Sequence, residues 1–91
     1  MEIFKLHKEI EKYFSKIEKL FTKKTLWQFK NTSYDDLCLY HFGLGTWIRN
    51  NLLYPENNTL FGVFIEYEFT EPDDMSAVVI SEFYDYIQKK R

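Results

Sequence analysis

At 91 residues, 45% hydrophobic and 29% charged with only 3 Gly and 2 Pro, the chain has room for one folded domain and a composition outside the disordered range. Its formal charge of -2, from 12 basic and 14 acidic residues spread along the sequence, advertises no broad basic face for phosphates and disfavours nucleic acid as a partner. Cys38 is the sole cysteine, which excludes an intramolecular disulfide and a cysteine zinc cluster and fits a reducing cytoplasm.

Glu2, Lys5, Lys8 and Glu9 interrupt the first apolar residues, so no secretory core is present. No apolar run approaches the ~20 residues of a membrane span. The expectation is a cytoplasmic protein with no membrane contact. Two Trp, seven Tyr and nine Phe make 20% of the residues aromatic, more than so small a domain hides easily, and some should line a surface or an interface.

Over residues 2–23, Ile3, Leu6, Ile10, Tyr13, Ile17 and Leu20 step by three and four, widened by His7, Phe14 and Phe21, which predicts one amphipathic helix. The seam lasts under three heptads, so docking onto the rest of the domain is preferred to a coiled coil, and a homodimer through this helix is the alternative. Residues 25–29 read as a short apolar connector. Ser33 is a natural N-cap, with Asp35 and Asp36 in the first turn of a second helix that reaches about Leu53 and buries Leu37, Tyr40 or His41, Leu44, Ile48 and Leu52. Residues 54–58, around Pro55, read as a loop.

In residues 60–69, Phe61, Val63, Ile65, Tyr67 and Phe69 alternate as a half-buried strand would. The only other strand-like run, 25–29, is too short to make a stable sheet with it, so a helix over 59–67 is expected. The last helix starts at Pro72, capped by Thr70 or Glu71, with Asp73 and Asp74 against its positive end. Met75, Val79, Phe83 and Tyr86 form its face, and Lys89, Lys90 and Arg91 complement its C-terminus. The sum is an all-α fold, a small four-helix bundle forming a single domain over 1–91, with an N-terminal amphipathic helix (1–24) and a helical core (33–90). The alternative is α+β, if residues 61–69 pair as a strand.

Several residues are ones that packing alone would not choose. Gly43 and Gly45 sit inside the second predicted helix, where each costs about 1 kcal/mol relative to alanine. Close approach of another helix or of Trp27 would compensate, as would a ligand or partner chain resting there. Arg49 could form a bidentate pair with Asp73 or Asp74 and staple the second helix to the last; unpaired, it would receive a carboxylate or phosphate. Asp73 and Asp74 point about 100° apart on a helix, so capping explains them better than metal binding. His41 reads as a satisfied core histidine, and a Cys38–His41 nucleophile pair would lack an orienting group. No phosphate-cradling glycine loop, metal-ligand cluster or nucleophile motif is present, so no cofactor and no metal is expected.

The stretch Tyr40-His41-Phe42-Gly43-Leu44-Gly45-Thr46-Trp47-Ile48-Arg49-Asn50-Asn51, followed by Pro72-Asp73-Asp74-Met75-Ser76, resembles a family of small, mainly bacterial domains of unknown function that pair a GLGxWIRNN stretch with a downstream PDDMS. The resemblance runs over roughly residues 34–87 and leaves the first thirty outside. It implies a predominantly helical unit, helical also at residues 60–67, with glycine tending to stand where this chain has Glu68. It supplies no activity.

The leading expectation is a small protein–protein interaction module, of an immunity or anti-defence type. It would bind another protein through exposed aromatics and a corner made of Trp47, Arg49, Asn50, Asp73, Asp74 and His41. One alternative is a nucleic-acid binder using Lys5, Lys8, Lys12, Lys16, Lys19, Lys23 and Lys24 on the first helix. The other is an enzyme with its site at His41, Arg49 and Asp74.

Overall fold

Six α-helices, a 3-10 segment and a π turn make up the described part of a computed structural model, residues 4–54 and 59–90. In chain order they are α1 (Phe4–Glu11), α2 (Phe14–Glu18), α3 (Lys23–Lys30), the 3-10 segment Tyr34–Tyr40, α4 (Leu44–Ile48), the π turn Arg49–Leu53, α5 (Thr59–Glu66) and α6 (Pro72–Lys89). No strand occurs among the described residues, so the fold is an all-α small bundle. The expected positions Glu2, Ile3 and Arg91 and the loop at 55–58 lie outside the described residues.

The four helical stretches anticipated from periodicity are present but subdivided. The first breaks at Lys12 and Tyr13, whose amides bond three residues back, to Glu9 and Ile10, instead of four. Neither Gly nor Pro causes the break. Beyond it Phe14 turns in to stack on Tyr86, centroids 4.6 Å apart, and Leu20, expected in the apolar stripe, is left 47% exposed past the end of α2. The connector at 25–29 is α3 instead. Thr22 and Thr25 cap it reciprocally, the Thr25 amide donating to Thr22 Oγ1 (3.1 Å) and the Thr22 amide to Thr25 Oγ1 (2.8 Å).

The second stretch is a succession of tight, regular and wide turns. Ser33 makes no side-chain cap; its carbonyl accepts from Asp36 N at 3.0 Å. All three helix types return a side chain to the same face every three to five residues, so Leu37, Leu44, Ile48 and Leu52 are buried as expected, and Tyr40 packs beside them. The π turn stops at Leu53, and Tyr54 is extended (φ -98, ψ 143), as a residue before proline should be.

Residues 59–66 are helical as anticipated, and the end of α5 explains why an alternating sequence does not become a strand. Glu68 adopts φ 69, its amide bonds to Ile65 O (2.9 Å), and the Phe69 amide reaches back to Phe64 O (3.1 Å). This is a Schellman cap, completed by the edge-on contact of the Phe64 and Phe69 rings at 5.2 Å.

α6 organises the molecule. It starts at Pro72 with Glu71 as its N-cap residue. It packs against α1, α3, the 3-10 segment, α4 and the π turn, burying Met75, Val79 and Phe83 completely. Phe29 sits between Phe83 (5.5 Å), Tyr84 (5.7 Å) and Tyr40 (4.9 Å, edge-on). Much of the aromatic content is thereby internal. Lys5–Glu66 (2.8 Å) ties α1 to α5 at the surface, and His7 meets Glu82 between α1 and α6.

Candidate functional site

The two motifs meet at one corner. Arg49, whose side chain is 14% exposed, lies across α4 toward the start of α6. Its Nη1 donates to Ser76 Oγ (3.0 Å), its Nη2 to Thr46 Oγ1 (3.0 Å), and its Nε lies 3.5 Å from Asp73 Oδ1. Ser76, fully buried, passes its own proton to the Asp73 carbonyl at 2.9 Å. An ideal Cβ on Gly45 would stand 3.1 Å from Arg49 Nη1 and 3.7 Å from Ile80 Cδ1, so the bare backbone there makes room for the guanidinium and for α6. The expectation of close helix approach thus holds at Gly45 without Trp27, which lies 65% exposed on α3. Gly43 has nothing within 4 Å of an added Cβ.

The acid that Arg49 meets is Asp73, not Asp74. Asp74 is exposed in the first turn of α6, where its amide bonds to Glu71 O and its charge faces the positive helix end. His41 Nε2 lies 4.0 Å from Asp73 Oδ2, at the rim of the corner. Asn50 is exposed on the π turn. Trp47 is not part of the corner: two residues from Arg49, it points about 200° away and packs by Leu20, Phe21 and Tyr40. Thr46 and Ser76, which hold the guanidinium, were not singled out from the sequence. Their spacing, three before Arg49 and three after Asp73, was the available signal.

Held by two hydroxyls beside Asp73, and with only 14% of its side chain exposed, Arg49 makes the corner a fastening between α4 and α6 and leaves little of itself open to a ligand. The open chemistry lies beside it. A cleft of about 450 Å³ is lined by Tyr34, Leu37, His41, Phe42, Ala77 and Ile80. A second, of about 760 Å³, continues along α6 toward Phe4, His7, Glu11 and Asp85, sharing Tyr34, Ala77 and Ser81 with the first. Tyr34 straddles the two, its hydroxyl 3.0 Å from Ser81 Oγ. On their linings Phe42 is 83% exposed, Phe4 60% and Tyr34 58%, and on the 3-10 segment Leu39 is 74% exposed. Leu39 and Phe42 fall off the buried stripe of their stretch, which is how the sequence could have marked them. His41 lines the first cleft, whose lining includes neither Arg49 nor Asp74. Among the described residues no cluster of His, Cys, Asp and Glu is arranged to hold a metal, and no helix is long and apolar enough to cross a membrane.

A family model described as Domain of unknown function (DUF6794) matches residues 8–87. The chain belongs to this family. The match starts well before residue 34, so most of the N-terminal region is part of the family unit and not an addition to it. This agrees with α1 and α2, whose Ile10, Phe14 and Ile17 are built into the same core as α6. No curated protein and no solved structure matches the chain.

Proposed function

We propose that this DUF6794 member is a small protein-binding module, and that its contact surface is the strip along α6 between α1 and the 3-10 segment, with Phe42 at one end. The observation that carries the reading is the exposure of Phe42 (83%) and Tyr34 (58%) on the lining of a cleft that also includes the small side chains Ala77 and Ser81. Singly exposed apolar residues are ordinary, whereas a contiguous set flanking a groove is what interfaces use. The floor suits a helix laid across it, with larger apolar residues in the two clefts. Glu11, Glu82 and Asp85 line the far end against Lys89 and His7, so the fitting partner is an amphipathic helix carrying a lysine or arginine there.

On this reading the GLGxWIRNN and PDDMS stretches are framework: the Arg49 fastening fixes α4 to α6 next to the 3-10 segment and so supports the groove. The setting is a bacterial cytoplasm, where a module of this size serves as an immunity or anti-defence factor, neutralising another protein by occupying one surface. Selection of a helical peptide library against the whole chain tests it. Binders should carry apolar positions at i, i+3 and i+7 with a terminal basic residue, and Phe42→Asp should abolish their binding while the melting temperature stays unchanged. Selected peptides that bind this variant as well as the unaltered chain would refute the assigned surface.

A further inference from the structure

A second surface is formed by α3 with the C-terminal end of α6. Trp27 stands 65% exposed on α3, while Phe29, on the opposite side of the same helix, is fully buried. At 100° per residue, Lys23, Lys24 and Lys30 all fall within about 60° of Trp27, so three lysines share the indole's side of α3. Charge is segregated around it. Residues 16–30 carry five lysines against Glu18, whereas residues 31–88 carry ten acidic residues against Arg49. The fold then adds the end of α6 to the basic pole. Gln88 Nε2 donates to Lys30 O (2.7 Å), and Lys90 reaches Glu18 at 2.7 Å, neutralising the acid of that segment. Lys19, Lys23, Lys24 and Lys30 pair with no carboxylate among the described residues. Beside the indole a shallow cleft of about 260 Å³ is lined by Lys23, Leu26, Lys30, Ile87 and the Lys90–Glu18 pair.

We propose that this pole binds single-stranded nucleic acid, one base stacking on Trp27 and the adjoining phosphates resting on Lys23, Lys24 and Lys30. An exposed ring among unpaired cations is the combination that non-specific single-strand binders use, the ring for the base face and the cations for the backbone. A duplex keeps its bases stacked on one another and gives Trp27 nothing to stack on. A membrane surface is the poorer match, because Thr25, Gln28 and the lysines break the apolar face that an interfacial helix needs. The proposal is independent of the α6 strip.

Fluorescence anisotropy of labelled oligothymidylate with the full chain decides it. Expected are saturable binding that weakens as salt rises, a loss of affinity of about 5- to 100-fold for Trp27→Ala, partial recovery in Trp27→Phe, and a shallower salt dependence in the Lys23→Glu, Lys24→Glu double variant. Phe42→Asp should bind like the unaltered chain, which separates this surface from the α6 strip. Because Trp27 is mostly exposed, circular dichroism of its variants should match the unaltered chain. The proposal is overturned by absence of saturable binding at low salt, by affinity that Trp27→Ala leaves unchanged, or by preference for duplex of the same sequence. A Trp27-dependent emission shift on phosphatidylserine vesicles without oligonucleotide binding would assign the pole to membranes instead.

Discussion

Gly45 and Arg49 face each other across one helical turn, with 3.1 Å between the position of an added Cβ and Arg49 Nη1. Two effects of similar size therefore oppose each other in Gly45→Ala. Alanine gains about 1 kcal/mol of helix propensity. Displacing the guanidinium from Ser76 and Thr46 puts at risk charge-assisted bonds worth about 1.5–3 kcal/mol. We expect a net loss of about 1 kcal/mol in urea denaturation, turning to a gain when the substitution is made in an Arg49→Met background. Gly62→Ala, at an exposed site in α5 with nothing within 4 Å, should stabilise by about 0.5–1 kcal/mol.

The same corner predicts unequal roles for its two charges. Arg49 is largely covered and held by two hydroxyls, whereas Asp73 is 68% exposed and 3.5 Å from Nε. Arg49→Met should cost about 2 kcal/mol, and Asp73→Asn under about 1 kcal/mol, since exposed ion pairs contribute little. Exchanging the charges, Arg49→Asp with Asp73→Arg, should leave most of the loss in place, because neither hydroxyl regains its donor. Full rescue would instead show that the ion pair is the fastening.

Glu68 occupies a left-handed position that side chains with a Cβ adopt at a cost of about 1–2 kcal/mol. Part of that is returned by the greater freedom glycine has when unfolded, so Glu68→Gly should raise stability by up to about 1 kcal/mol, and Glu68→Val should lower it by more than that. Thermal unfolding of the two variants checks the sign.

Alkaline pH should weaken the fold. The Lys5 ammonium is raised above its ordinary 10.5 by its hydrogen bond to Glu66, then by the charge of that carboxylate, and Lys90 is raised by its hydrogen bond to Glu18. Tyr13 is raised above its ordinary 10.0 by partial burial first and then by the charge of Glu9. In each case the folded state favours the protonated form. The stabilisation is therefore fully present below the unfolded values near 10 and is lost as pH climbs through the raised folded ones. Melting temperature should be level from about pH 8 to about pH 9.5 and fall above about pH 10.5. The fall should be shallower in Tyr13→Phe, and the lysine contributions smaller in high salt.

Legibility differed by element for physical reasons. The start of α6 could be read because Pro72, Asp73 and Asp74 each favour a helix N-terminus on local grounds. The burial of Ile48 and Leu52 survived a change from α to π geometry, since the spacing of the stripe tolerates it. The break at Lys12 and Tyr13 was invisible, because Ile10, Tyr13 and Ile17 keep helical spacing across it. α3 was hidden because Thr25, Trp27 and Phe29 favour strands individually, while the reciprocal Thr22–Thr25 cap acts between residues. At the corner, the meeting of Arg49 with an aspartate could be anticipated from the two motifs. The choice of Asp73 over Asp74, and the departure of Trp47 to another side, depend on helix phase. The basic pole escaped a whole-chain charge count because ten acids elsewhere mask it.

α6 follows in the sequence every element that it organises. During synthesis α1 to α5 therefore leave the ribosome before the partner against which most of them bury their apolar faces exists. Phe29, Ile48 and Leu52 then have no completed core to enter, and the cooperative collapse of the domain waits for Met75, Val79 and Phe83 to clear the exit tunnel.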